Sequence, residues 1–481
     1  MPNVPSQADF DSLSQTVAAQ NESITDISVA GRLNSGSIES LAARVAALEA
    51  ATPAPPVTPP VPPPVPPPTS TGFATVPTGV DNVMVTPGET IGAALLRARA
   101  IRHGVGVAIR IPPGDYPWGN AQWPTNLGGS PLGRLYLVAD GVGARPRITG
   151  TIGSSWMASI GTPTNVPQYT EFHGLDFDGE GMGDPSFDLY GPVSNLRFDD
   201  CRFQRARVSL NLNPDQLGAH SSNVSLTRCI IDEMTMPTDG GAEPQGLYAA
   251  HPANLSLIET VVYRCGLVGG LPTTFQHGMY ISGALGFFAR GCLFADNSGA
   301  HLKLSGNSDG DFWDFAITDS IFIGARAGIA LNHSNYPGSD PSVYTHRNGH
   351  IYRCLFERIG EVDMSVGVHA WNSDNVLVER CVGIDSPGVG LSGLVRRNLP
   401  MPSRNLDVMN CRTARWPGSI DSDIRSGNIE SPNGSEFVDP TRTAETYHSV
   451  SSAVARPRGE WVDGRSPAAV GTWVRAGYEL P

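Results

Sequence analysis

The hydrophobic pattern of this chain has a long period. Nine positions, Leu175, Cys201, Cys229, Thr260, Cys292, Ser320, Cys354, Cys381 and Cys411, succeed one another at spacings of 26, 28, 31, 32, 28, 34, 27 and 30 residues. Three residues before each stands an apolar one: Phe172, Phe198, Leu226, Leu257, Ala289, Ile317, Ile351, Val378 and Val408. Two residues after come Phe177, Phe203, Ile231, Val262, Phe294, Phe322 and Phe356, and the pattern fades at Gly383 and Thr413. A unit of about 30 residues cannot bury its apolar face alone, so this period predicts a solenoid whose turns stack on one another. A second segment in each unit alternates strictly, as in Leu247-Tyr248-Ala249, Met279-Tyr280-Ile281, Leu302-Lys303-Leu304, Ile329-Ala330-Leu331, Val368-His369-Ala370 and Val389-Gly390-Leu391. Period two sends the flanking residues inward and the middle one outward. One outward column therefore reads Tyr248, Tyr280, Lys303, Ala330, His369 and Gly390, and the next reads Ala250, Ser282, Ser305, Asn332, Trp371 and Ser392. His277 and His301, just upstream of their strands, are expected on the same side.

The first fifty residues follow a different period. Phe10, Leu13, Val17, Gln20, Ile24 and Ile27 alternate steps of three and four, as do Ile38, Leu41, Val45 and Leu48. This is a coiled-coil pattern broken by Gly31 to Ser37, and it predicts an oligomerisation or anchor segment over residues 1–50. An amphipathic hairpin packed on its own chain is the alternative, and the seam residues do not choose between dimer and trimer. A proline-rich linker follows over residues 51–72, with eleven prolines between Pro53 and Pro68. In the polyproline II conformation it would form a semi-rigid spacer of roughly 50 Å. The solenoid is expected over residues 73–425 and a capping segment over 426–481. Ser466, Pro467 and Gly477 in that tail mark the start and stop of one short helix.

Thr90 to Ala98 reads as a short amphipathic helix, and Val107 to Tyr116 as a strand and a turn through Ile111-Pro112-Pro113-Gly114. A helix followed by I-P-P-G-x-Y, ahead of the cysteine-slot repeats, resembles the N-terminal cap of the pectate-lyase-like family. The resemblance covers about residues 75 to 425. It implies an all-β fold, the right-handed parallel β-helix, which hosts many functions.

Composition narrows the partners. With 54 Gly, 41 Pro and 16% charged residues, the chain suits short strands joined by turns. A net charge of -13 argues against nucleic acid, and an acidic glycan would need a local basic site. The N-terminus has no basic and apolar leader, so no signal peptide is read, and no apolar run is long enough for membrane insertion. No two cysteines lie nearer than 27 residues, which excludes close metal-binding pairs. Thr260 and Ser320 share the slot, so a reduced ladder of small residues is expected, with Cys265 outside it.

Tyr248 and Trp371 offer flat apolar faces to sugar rings, with His277, His301 and Asn332 as polar neighbours, and the outward face predicts a polysaccharide-binding groove. Hydrolysis usually needs two carboxylates roughly 5 to 9.5 Å apart. The central column has none, although Asp188 lies on an early turn and Asp309, Asp311 and Asp314 share one loop. Elimination needs a base and a cation beside the substrate carboxylate, and Tyr280, Lys303 and His369 are the right types for those catalytic roles. Here the chain resembles chondroitinase B and the alginate lyases. Lys303 matches their catalytic Lys, but Asn332, followed by His333, stands at the Arg position and leaves the catalytic pair incomplete. Asp176, Asp178, Glu180 and Asp184 are weak candidates for calcium, in an order unlike an EF-hand, and no cofactor is otherwise expected.

A helical base, a stiff spacer and a β-helical body together resemble the layout of bacteriophage tailspikes and virion fibres. That resemblance implies a homotrimer on the virion surface, synthesised in the host cytoplasm. Its N-terminus would join other virion proteins, and its lateral groove would bind bacterial surface polysaccharide. Two further readings remain open: a polysaccharide-degrading enzyme using the same groove, a lyase before a hydrolase, or a purely structural capsid or tail decoration protein.

Overall fold

The computed structural model describes most of residues 76–431, apart from short stretches of which 212–220 and 334–345 are the longest. The heptad segment, the proline-rich linker and the C-terminal helix lie outside the described residues. Among the described residues the strands form three long parallel sheets of 13, 12 and 9 strands, and a small one of two. One strand of each long sheet makes a turn, as in Ser221–Thr227, Ile230–Asp232 and Leu247–Ala250, which pair in register with the turn that follows. The protein is thus an all-β parallel β-solenoid of the right-handed type.

Two corners recur along the described turns, each made by one residue in the left-handed region. Asp200, Arg228, Glu259, Gly291, Asp319, Arg353, Arg380 and Asn410 precede the slot with φ between 51° and 65°. Arg205, Glu233, Arg264, Asp296, Gly324 and Arg358 follow the second strand with φ between 48° and 62°. Left-handed backbone costs a non-glycine residue about 1–2 kcal/mol, and the ladder bonds on both sides hold it in place.

The slot that the repeat defines carries a hydrogen bond as well as small size. Cys201 Sγ donates to the carbonyl of Phe172 (3.4 Å) and Cys229 Sγ to that of Phe198 (3.5 Å). Thr260 Oγ1 donates to Leu226 O at 3.2 Å, and Cys292, Cys354, Cys381 and Cys411 repeat the bond at 3.5–3.6 Å. In each case the acceptor lies three residues before the slot of the preceding turn. Ser320 fits the same position by donating to Thr318 O and accepting from Cys292 N–H. Cys265, which the repeat does not explain, does the same work at the second corner, donating to Ile231 O (3.7 Å) and Tyr263 O (3.5 Å). All seven cysteines are free and buried, and burial pushes the thiols of Cys201, Cys265 and Cys292 up to about 12. Native protein should therefore resist iodoacetamide at mildly alkaline pH and label fully once unfolded. A thiol that mass spectrometry finds labelled at once would contradict this packing.

Between the corners the interior is filled by aromatic stacks. Phe172 lies on Phe198 (4.7 Å), Phe177 on Phe203 (4.9 Å), and Phe322 between Phe294 (4.8 Å) and Phe356 (5.0 Å). These distances match the strand spacing of a sheet, so the same side chain on successive turns stacks without adjustment. At the N-terminal end a helix over Ile91–Ile101 buries Ile91, Ala94, Leu95 and Ala98. Thr90 caps it, its hydroxyl accepting from Ala93 N–H at 3.1 Å.

A further column, not read from the sequence, runs along the outside of the first sheet. Asn195, Asn223, Asn254, Asp314, Asn348, Asn375 and Asn405 all have φ between 48° and 58°. Their side chains bond along the solenoid: Asn223 Nδ2 to Asn195 Oδ1 (3.3 Å), Asn254 to Asn223 (3.1 Å), Asn348 to Asp314 (2.9 Å) and Asn375 to Asn348 (2.9 Å). Asparagine suits this column because its short amide tolerates left-handed backbone and offers both donor and acceptor.

Candidate functional site

The outward column of the third sheet is assembled by register. Asp188 pairs with Ser209, Ser209 with Tyr248, Tyr248 with Tyr280, Tyr280 with Lys303, Lys303 with Ala330 and Ala330 with His369. The next residue is Arg396, not Gly390: the strand runs over Leu391–Arg397 and buries Leu394 and Val395, which leaves Arg396 outward beside His369. The second column holds Ala250, Ser282, Ser305 and Asn332 in register, and Trp371 follows, its backbone N–H donating to Leu331 O at 2.9 Å.

Tyr280 is the centre of the face. Its ring meets Tyr248 edge-on at 5.7 Å and His277 at 6.1 Å, and Lys303 Nζ stands 4.7 Å from its centroid. His277 is buried, and its Nδ1 accepts from the Ala300 N–H at 3.1 Å. Gly299 makes that approach possible, since an added Cβ would fall 2.2 Å from Gln276 O and 2.9 Å from His277 Nδ1. Burial, then the charges of Lys303 and Arg326, hold His277 well below the usual imidazole range. The neutral ring therefore carries its proton on Nε2, an atom with no partner among the described residues.

His369 Nε2 accepts the indole N–H of Trp371 at 2.7 Å, which puts the proton of the neutral ring on Nδ1. Burial, Arg326 and Arg396 push its pKa down to about 4. With its basic lone pair already engaged, His369 holds Trp371 in this geometry and does not stand as a free base. The charges that reach both imidazoles are cationic. Arg326 and Arg396, which the sequence reading missed, join Lys303 in a basic patch on a chain of net charge -13.

His301 does not reach this face. The strand Ala300–Gly306 pairs Ala300 with Ala327 and Leu302 with Ile329, so residue 301 stands level with Gly328 at the corner, where its side chain is buried. Neighbouring turns carry Gly246 and Gly328 at this corner, where an added Cβ would come within 2.7 Å of Cys265 Sγ and 2.5 Å of Phe356 Cδ1. The His301 ring lies against Phe294 and Phe322, with Nδ1 bonded to Asn297 Nδ2 at 3.0 Å. Burial pushes its pKa down to about 3. The unfolded chain takes up this proton below about pH 6.5 and the folded one only near pH 3, so stability falls as pH drops through that window. His301→Leu should flatten the fall of the thermal midpoint between about pH 7 and 4. An unchanged slope would place the acid sensitivity elsewhere.

The carboxylates are partnered elsewhere. Asp178 accepts from Arg147 (2.9 Å) and Arg205 (2.7 Å), Glu180 from Arg147 (2.6 Å), and Asp176 lies 4.0 Å from Arg202. Burial pushes Asp176 up to about 6. Guanidinium groups thus occupy the oxygens that calcium would need, and no His/Cys/Asp/Glu group among the described residues has the arrangement of a metal site. Asp314 belongs to the asparagine column on the first sheet, so it forms no hydrolytic pair with Asp188 on the third.

No protein-family model and no curated protein sequence matches the chain. Solved structures similar to it include the following three. One is ORF18 of Geobacillus virus E2, at 15% identity and TM-score 0.36 over 73% of this chain, which spans 60% of the length of that protein. Another is the pectate lyase Pel9A, at 13% identity and TM-score 0.39 over 75% of this chain and 79% of that one. The third is a mannuronic acid specific polysaccharide family 6 lyase from human gut microbiota, at 12% identity and TM-score 0.42 over 82% and 99%. With every TM-score below 0.5, the chemistry of the site stands on its own residues.

Proposed function

We propose that the outward face of the third sheet binds an acidic polysaccharide of the bacterial surface. On this reading the chain is the recognition body of a homotrimeric bacteriophage spike, joined to other virion proteins through its N-terminal segment. One observation carries the binding reading: Lys303, Arg326 and Arg396 gather around Tyr280, His277 and His369 although the chain as a whole is strongly acidic. Aromatic faces bind the apolar side of a sugar ring, and the cations bind its carboxylate. Titration calorimetry with polyuronates should show binding that weakens about tenfold between roughly 50 and 500 mM salt. Equal affinity for neutral dextran, or no salt dependence, would sink the proposal, and a monomeric mass by light scattering would sink its trimeric part.

The contact of Lys303 with Tyr280 also favours cleavage by elimination on the same face, a cation and a phenolic base side by side. Incubation with a bound polyuronate would then release oligosaccharides absorbing near ~235 nm, the signature of the unsaturated sugar left by elimination. Intact polymer after prolonged incubation leaves the face a binding surface only.

A further inference from the structure

The asparagine column on the first sheet has one gap. Where the other turns from Asn195 to Asn405 carry Asn or Asp, the turn between Asn254 and Asp314 carries Gly286, with φ +83°. The gap is aligned by register, since Leu285 pairs with Ala253 on one side and with Trp313 on the other. The ladder bonds stop on both sides of it. Asn254 donates backward to Asn223, and Asp314 accepts from Asn348 on its far side. An added Cβ at Gly286 would lie 2.9 Å from Asn254 Oδ1, so that oxygen faces the gap. A hollow of about 600 Å³ opens there, lined by Asn254, Ser256, Gly286, Phe288, Asp314 and Ala316 among others.

Its floor and rim have complementary chemistry. Phe288 is half-buried and sits between the small residues Ser256 and Ala316 on the adjacent turns, with the Arg290 guanidinium 6.0 Å from its ring centroid. The rim presents acceptors: Asn254 Oδ1 and the Asp314 carboxylate. Trp313 and Leu285 stand beside the hollow, 39% and 41% exposed. A flat apolar platform under hydrogen-bond acceptors suits a pyranose ring, whose C–H face is apolar and whose edge is a row of O–H donors. The carboxylate of Asp314 disfavours a second acid. We propose that this hollow is a second carbohydrate site, on a different sheet from the basic face, which takes a neutral, hydroxyl-rich sugar ring stacked on Phe288. The gap at Gly286 is what admits the sugar.

The test uses the full chain and the methyl glycosides of glucose, galactose and mannose, followed by saturation-transfer NMR. The wild type should transfer saturation to at least one of them, most strongly to the ring C–H protons. Phe288→Ala should weaken binding at least about tenfold, because the platform is lost. Gly286→Asn should abolish it, while its urea midpoint stays at or above that of the wild type, because the new amide continues the ladder at a backbone angle asparagine tolerates. A Tyr280→Ala/Lys303→Ala double variant should bind these glycosides as the wild type does, although it loses acidic polymer; that arm separates failure of the two sites. The proposal is overturned if no methyl glycoside binds, or if both first-sheet variants bind normally. It is equally overturned if Gly286→Asn lowers the mass of the assembly, which would make the hollow a contact between copies.

Discussion

Phe322→Ala should lower the unfolding free energy of the solenoid by about 3–5 kcal/mol, among the largest costs of a single core truncation. Its ring is held at 4.8 Å from Phe294 and 5.0 Å from Phe356, nearly parallel to both, with the His301 ring against it at 6.0 Å. Removing the ring leaves a cavity that cannot collapse, because the strands on either side are fixed by their ladder bonds to the turns above and below. Urea unfolding measured by circular dichroism provides the check, and a loss below about 1 kcal/mol would mean that the stack is not the continuous core described here. Phe322→Leu, which keeps most of the volume, should cost less than half as much.

Lys303→Ala should reduce affinity for an acidic polysaccharide by about 10- to 100-fold, the range of one charge-assisted hydrogen bond lost from a partly buried site. The ammonium stands over the Tyr280 ring, so it is positioned before any ligand arrives. Lys303→Arg should recover part of the affinity, since the charge returns with a different donor geometry. Lys303→Met, which keeps the stem over the ring without the charge, should behave like alanine. Calorimetry at low salt separates these outcomes, and an undiminished affinity in Lys303→Met would move the acidic subsite to Arg326 and Arg396. Tyr280→Ala removes the ring that both Lys303 and His277 contact and should weaken binding of acidic polymer as well.

Much of this architecture was legible in the amino-acid order. The slot spacing marks the turns, and strict alternation identifies the outward residues Tyr248, Tyr280, Lys303, Ala330 and His369 one by one. The asparagine column was equally legible and was overlooked: Asn195, Asn223, Asn254, Asn348, Asn375 and Asn405 each stand six residues before a slot, as do Gly286 and Asp314. It escaped notice because a hydrophobic pattern directs attention to the core, and this column lies outside.

His301 shows where alternation stops being a guide. It stands level with Gly278 and Gly328 at a corner, where the residue before the first inward one is buried as well, and the composition of the strand carries no mark of that bend. Arg396 was missed for a related reason: Val389-Gly390-Leu391 alternates as well as the true strand does, and only pairing with Val368 and His369 selects the register. The acidic cluster around Asp178 reads as a possible cation site until Arg147 and Arg205, one from the preceding turn and one from the following, are seen to fill it.

The sequence by itself determined the period, the parallel stacking and the inward and outward faces of most strands, because burying an apolar face on a repeated unit admits few other solutions. Tertiary structure alone decided which polar groups meet. Tyr248, Tyr280 and Lys303 are near neighbours because ladder bonds bring separate turns within about 5 Å of one another. The slot cysteine is a hydrogen-bond donor as well as a small residue because the carbonyl it serves belongs to the turn before.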